Sequence, residues 1–226
     1  MSDYYTDHLS AERLRRVYEI APPRVRQYLE AEIDHVAGNI RPGDVVLELG
    51  CGYGRVVPRL AARAKAVIGI DTSLASLRMG QDLLRGIGNC HLACMNALHL
   101  GFADRTFDLV VCIQNGISAF HVDQRAVICE AVRVTRPAGL ALFSSYSEKF
   151  WNDRLDWFER QSAAGLLGEI DHDKTRDGVI VCKDGFTATT VTPEYFRSLV
   201  DDLGAEVRID EVDESSVFCA ITIPHP

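Results

Sequence analysis

The stretch VVLELGCGYG at residues 45–54 constrains this chain more than any other: an apolar run ends in an acid and opens into three alternating glycines. VVLELG has no polar alternation, so it reads as a strand buried on both faces of a sheet. Glycines just past a strand end let backbone N–H groups approach a ligand that a side chain would keep away. In an open α/β sheet, ligands bind there, beyond the carboxyl ends of the strands, where the strand order reverses. The acid is Glu48 and the glycines are Gly50, Gly52 and Gly54.

The rest of the chain supplies the alternation that such a sheet needs. AVIGID (66–71), HLAC (91–94), FDLVVCI (107–113) and LALFSS (140–145) read as further strands. Helices are expected from about Gly54 to Arg63, Ser73 to Arg85 and Asp123 to Thr135, with RPAG (136–139) as a turn. Ahead of the first strand lie two helices, one capped by Ser10 and one after Pro22-Pro23. Past Ser145 the rhythm changes. An aromatic and charged segment puts Trp151, Leu155 and Phe158 on one helical face, and a hairpin follows about Asp184-Gly185. A helix from Thr192-Pro193 and two last strands, AEVRID and SVFCAITI, finish the chain. The pattern predicts an α/β, doubly wound, mostly parallel sheet with helices on both faces. It divides one domain into a helical cap (1–43), a ligand-binding core (44–145), an insertion (146–192) and a C-terminal helix with strands (193–226).

The glycines alone leave the ligand open. G-x-G-x-G with Arg55 next is not the G-x-G-x-x-G of a dinucleotide site, and no GK[ST] follows to make a phosphate loop. Glu48 would repel a pyrophosphate and welcome an ammonium or sulfonium. Asp71 ends the second strand 21 residues after Gly50, where a carboxylate can accept bonds from two ribose hydroxyls. Asn96, after the third strand, is placed to meet an adenine edge.

ELGCGYG (48–54), GID (69–71), NA (96–97), FDLVVCIQNGIS (107–118) and RPAGLALF (136–143) together resemble the class I S-adenosylmethionine-dependent methyltransferases. The resemblance covers about residues 44–145 and departs from the family pattern at Asn96, where an Asp is usual. It implies a Rossmann-like, seven-stranded sheet whose antiparallel strand is SVFCAITI. S-adenosylmethionine is the implied cofactor and S-adenosylhomocysteine the product. Gly50, Cys51, Gly52 and Gly54 would pass under or beside the methionyl part, with Glu48 near its amino group. Asp71 would hold the ribose, Thr72, Asn96 and Ala97 would flank the adenine, and Gln114 and Asn115 would face cofactor and acceptor.

Composition narrows the acceptor. The formal net charge is −8, with 32 acids against 24 bases, so a nucleic-acid face is disfavoured. RLRR (13–16) reads as a solvated helix face. No apolar run is long enough to span a bilayer, and the polar start MSDYYTDHLS does not read as a signal peptide, so a cytoplasmic small-molecule enzyme is expected. Seven cysteines without a CxxC suit a reducing compartment, and no metal is expected. The methyl would go to an oxygen, nitrogen or sulfur of a small molecule. Base candidates are His121, Tyr146 and His172, and Tyr18 is the expected reach from the N-terminal helices. Those helices and the insertion, with Tyr4, Tyr5, Tyr18, Tyr146, Trp151 and Trp157, are expected to roof the site. Three alternatives stay open: a protein or RNA methyltransferase, a nicotinamide-dependent reductase, and a non-catalytic S-adenosylmethionine-binding module. Oligomeric state is not readable.

Overall fold

The computed structural model describes residues 9–225; Tyr4 and Tyr5 lie outside them. Seven strands form one sheet in the order β3-β2-β1-β4-β5-β9-β8. The strands are β1 (Val45–Leu49), β2 (Ala66–Asp71), β3 (Cys90–Cys94), β4 (Phe107–Cys112), β5 (Thr135–Tyr146), β8 (Glu206–Val212) and β9 (Ser216–Thr222). The first five pair in parallel, and β9 pairs antiparallel with both β5 and β8. Strand order reverses between β1 and β4, which fixes the ligand crevice at their carboxyl ends.

Two cores lie on the two faces of the sheet. Leu47, Leu49 and Val110 belong to one, and Val46, Leu109 and Val111 to the other. The period-two exchange explains why β1 and β4 are apolar throughout. Helices α3 (Val57–Ala61) and α4 (Leu74–Leu83) follow β1 and β2; α5 (Gly116–Ala119) and α6 (Gln124–Val134) follow β4. Ser73 caps α4 by accepting from the Ser76 N–H, and Asp123 caps α6 by accepting from the Ala126 N–H.

A third core joins the N-terminal helices to the segment that follows β5. Helices α1 (Glu12–Glu19) and α2 (Pro23–Gly38) pack with α7 (Trp151–Ala163) and with the short hairpin of β6 (Ile180–Val181) and β7 (Thr187–Ala188). The Trp157 indole N–H donates to the Val17 carbonyl at 3.1 Å. Arg13, from the basic group of α1, donates to the carbonyls of Gly165 and Leu166, while Arg15 and Arg16 pair with Glu12 and Glu19. The last helix, α8 (Pro193–Val200), is capped by Thr192 and buries Phe196, Leu199 and Val200.

Several local expectations are corrected. Ser10 does not cap α1: the cap position is Ala11 at φ 49°, and its N–H donates to the Ser76 hydroxyl on α4 instead. The helix after the glycines begins at Val57, not Gly54, because Gly54 sits at φ +76° and cannot start a right-handed turn. RPAG is no separate turn; β5 runs through it, with an irregular register against β4 between Phe107 and Leu109. On α7 the fully buried face carries Arg154, Trp157, Phe158 and Gln161, leaving Trp151 and Leu155 partly buried.

Candidate active site

At the switch point lies a cavity of about 630 Å³. Its floor is the glycine loop. The N–H groups of Gly50 and Cys51 both donate to the Ile70 carbonyl at 2.9 Å, folding the loop back over the end of β2. Gly50 stands at φ +73°, and a Cβ there would lie 2.5 Å from the Phe120 ring, so only glycine fits. Asp71 clamps the loop from below. Its Oδ2 accepts from the Gly52 N–H at 2.9 Å and its Oδ1 from the Ser73 N–H at 2.8 Å.

Glu48, Gly50, Cys51, Gly52, Asp71, Thr72, Asn96, Ala97 and Gln114 all line this one cavity. Glu48 is only 4% exposed, and neither of its carboxylate oxygens accepts a hydrogen bond among the described residues. Burial pushes its carboxyl up to about 7; the Arg55 charge pulls it down and Asp71 pushes it further up. Burial also raises the Cys51 thiol, which therefore acts as a small apolar wall. Asn96 uses its Oδ1 to accept from the Leu98 N–H at 2.9 Å, which fixes its amide at the cavity wall.

Two expected cofactor residues do not line the cavity. Asn115 turns inward, donating to the Thr189 carbonyl at 3.0 Å and accepting from the Ser145 hydroxyl at 2.8 Å, so it ties the hairpin to β5. Gly54 faces Leu84, and its φ of +76° is the reason a glycine stands there. The turn that redirects Asn115 is unusual: Gln114 and Asn115 both stand in the left-handed region, at φ 57° and 61°. Glu32 holds it. This α2 acid is fully buried, and its Oε2 accepts from the Gln114 N–H at 2.6 Å and the Ser144 hydroxyl at 2.9 Å. Burial pushes its carboxyl up to about 7, against the pull of the bonds it accepts and of Arg55.

Over β4 and β5 the cavity becomes aromatic. Tyr18, Tyr28, Tyr146, Trp157 and Phe158 line it, so the N-terminal helices and α7 both reach the site. The Arg55 guanidinium lies 4.3 Å from the Tyr18 ring centre, and Arg154 lies 4.4 Å from that of Tyr146. Burial holds the Tyr18 phenol above its ordinary range and pushes Tyr146 up to about 12, Arg154 pulling the other way. Both stay protonated at neutral pH, the form in which a phenol donates a hydrogen bond. His121 lines the cavity from an exposed position at its rim. His172 does not: it borders a separate depression with Glu159 and Glu169. Among the described residues no three His, Cys, Asp or Glu gather as metal ligands, and no helix is long and apolar enough to cross a membrane.

Sequence reasoning missed Glu32, Arg55 and Tyr28. Glu32 carried a signal, since an acid stood on the apolar stripe Tyr28, Ile33, Val36 of its helix. Arg55 was weighed only as a glycine that was absent.

An open sheet ordered 3-2-1-4-5 with a terminal antiparallel strand, and a glycine loop clamped by a strand-end acid, defines the Rossmann-like methyltransferase fold. Residues 46–139 match the protein-family model described as "Methyltransferase domain". The demethylmenaquinone methyltransferase of Corynebacterium urealyticum is 36% identical over 109 residues, which is 48% of this chain and 44% of that protein. The ubiquinone/menaquinone biosynthesis C-methyltransferase UbiE of Haemophilus ducreyi is 32% identical over 119 residues, 50% of this chain and 45% of that one. The chain thus spans less than half the length of these two curated relatives. In fold it is similar to N-methyltransferase NodS from Bradyrhizobium japonicum, solved with S-adenosylhomocysteine, at TM-score 0.65 and 16% identity over 99% of this chain and 100% of that one. Residues 46–139 thus match a methyltransferase domain, and the fold is the one solved for S-adenosylmethionine-dependent methyltransferases.

Proposed function

We propose that this chain is a single methyltransferase domain that moves a methyl group from S-adenosylmethionine to a small molecule. The observation that carries the reading is the Asp71 clamp on the glycine loop facing an unbonded, buried Glu48 across one cavity. The residues present fit the cofactor: a strand-end carboxylate for the ribose, an acid for the ammonium, and bare backbone beneath the methionyl chain. Asp71 would hold the ribose, Thr72, Asn96 and Ala97 the adenine, and Glu48 the amino group.

When bound, the cofactor supplies a methyl on a sulfonium whose leaving thioether needs no protonation. The chain's own residues therefore align the acceptor and exclude water. Tyr28 and Tyr146 would donate hydrogen bonds to it, and Trp157 and Phe158 would cover its apolar parts. A proton lost by the acceptor would go to the His121 imidazole at the rim. The aromatic chamber favours an apolar or planar acceptor over a nucleic acid, in keeping with the net charge of −8. Oxygen, nitrogen and sulfur acceptors fit this reading, and a relative named for C-methylation adds carbon.

The test is transfer of labelled methyl from S-adenosylmethionine to a panel of phenols, quinols, amines and thiols, with bulk RNA and protein as parallel acceptors. Label in a small molecule, lost in Asp71→Ala, is the expected result. Label in RNA or protein alone would overturn the acceptor class.

A further inference from the structure

We propose that the aromatic chamber binds a flat, uncharged acceptor held at two polar ends, an oxygen at Tyr28 and Tyr146 and a hydroxyl or amide-like group at Gln161. The inference rests on the methyltransferase reading above and names the class of its acceptor. All three side chains line the cavity, and Tyr28 and Gln161 are only 0% and 2% exposed. A buried polar group without a partner is costly, so one that persists beside a cavity points to a ligand that supplies the partner. The Tyr28 hydroxyl is such a group, buried and without a hydrogen bond among the described residues. Glu32 stands one helical turn further on with its own Oε1 unpartnered, yet no bond joins the two. Burial, the Glu32 charge and the neighbouring Tyr146 phenol hold Tyr28 well above its ordinary range, so its proton stays available to a ligand oxygen. The Gln161 amide makes no hydrogen bond among the described residues either, although it faces the same cavity. An amide offers a donor and an acceptor side by side, which suits a hydroxyl or another amide.

Helix α7 sets the two ends apart. Arg154 packs on the Tyr146 ring, and Gln161 lies seven residues further along the same buried face, about 10 Å at the rise of an α-helix. Trp157 and Phe158 lie between them. The Trp157 N–H is already spent on the Val17 carbonyl, so this stretch offers a ligand apolar ring surface. Charge excludes the other classes. Arg154 covers a face of Tyr146 and Arg55 a face of Tyr18, the positions a ligand ammonium would take on these rings. An anion would meet Glu48 in the same cavity and Glu32 behind Tyr28.

The experiment titrates rigid naphthalenes into the full chain by calorimetry, with and without saturating S-adenosylhomocysteine. Naphthalene-2,6-diol carries an oxygen at each end, 2-naphthol at one end, and 2-(aminomethyl)naphthalene an ammonium. The diol should bind best, 2-naphthol about 3- to 10-fold more weakly, and the ammonium at least roughly tenfold more weakly than 2-naphthol. Tyr28→Phe should weaken the diol about tenfold and raise the melting temperature of the free chain, because an unpaired buried hydroxyl is gone. A tyrosine with a structural role alone would leave the diol affinity unchanged. Gln161→Leu should bring the diol down to the affinity of 2-naphthol, and Gln161→Met serves if the leucine variant does not fold. A diol preference that survives both substitutions, or an ammonium probe that binds as well as the diol, would overturn the two-ended site. A chain that binds S-adenosylhomocysteine but no naphthalene would overturn the acceptor class and leave the cofactor reading in place. Diol binding with these preferences by a chain that ignores S-adenosylhomocysteine would overturn the cofactor reading and uphold the two-ended site.

Discussion

The most telling perturbation is a change of pH over the range in which Glu48 titrates. Its carboxyl is pushed up to about 7 because it is buried, with Arg55 pulling down and Asp71 pushing up. If Glu48 holds the ligand's ammonium, only the ionised acid binds well. With a midpoint near 7, the ionised fraction rises from about a tenth at pH 6 to about three quarters at pH 7.5. Affinity for S-adenosylhomocysteine should therefore rise roughly eightfold over that range, about 1.2 kcal/mol. Binding should also expel part of a proton near pH 6.5, because pairing lowers the carboxyl's pKa. Calorimetry in two buffers of different ionisation enthalpy measures both effects. Glu48→Gln should flatten the affinity profile and abolish the proton release. Glu32 titrates in the same range, so any slope left in that variant reports on Glu32. A Glu48→Gln variant with the full eightfold slope would refute the reasoning.

Four further outcomes are expected. Gly50→Ala should weaken S-adenosylhomocysteine binding at least tenfold and lower the melting temperature, since φ +73° and the Phe120 ring cost about 2–4 kcal/mol together; titration and a thermal melt check it. Arg154→Met should cost roughly 3 kcal/mol of stability in urea, because Arg154 bonds the carbonyls of Gly178 and Ala188 inside the third core and leaves them unpaired when removed. Deleting residues 1–20 should leave a folded core that binds S-adenosylhomocysteine about tenfold more weakly, having lost the Tyr18 stack on Arg55, and that transfers methyl slowly; equal affinity and turnover would make α1 decoration. Apo stability should fall as pH rises from about 4.5 to about 7. Glu32 and Glu48 carry raised values, so the folded state binds more protons than the unfolded one across that window. The loss is at most on the order of 3 kcal/mol per group, and melts of wild type and Glu32→Gln measure it.

What could be read in the sequence were the features with short-range physical causes. Buried strands are apolar throughout, so β1, β2 and β4 were legible, and Asp71 followed from its place at a strand end. Residues whose roles depend on a turn's hand were not. Asn115 was expected in the cavity, but two successive left-handed residues point its amide at Thr189 and Ser145. RPAG looks like a turn by composition, yet pairing with β4 and β9 extends the strand through it. The burial that raises the Tyr146 phenol was not legible in the sequence either. Long-range partners were invisible as well: Glu32 reaches Gln114 across 82 residues of chain, and no local pattern announces that bond.

The central claim is that the cavity at the switch point is built for S-adenosylmethionine rather than for a dinucleotide. One titration decides it: S-adenosylhomocysteine and NADH, each run by calorimetry against the full chain at pH 7.5, with Asp71→Ala alongside. The expected result is one-to-one binding of S-adenosylhomocysteine, at least tenfold weaker in Asp71→Ala (about 1.4 kcal/mol or more), and no heat from NADH. Binding of NADH, or S-adenosylhomocysteine affinity that ignores Asp71, would contradict it.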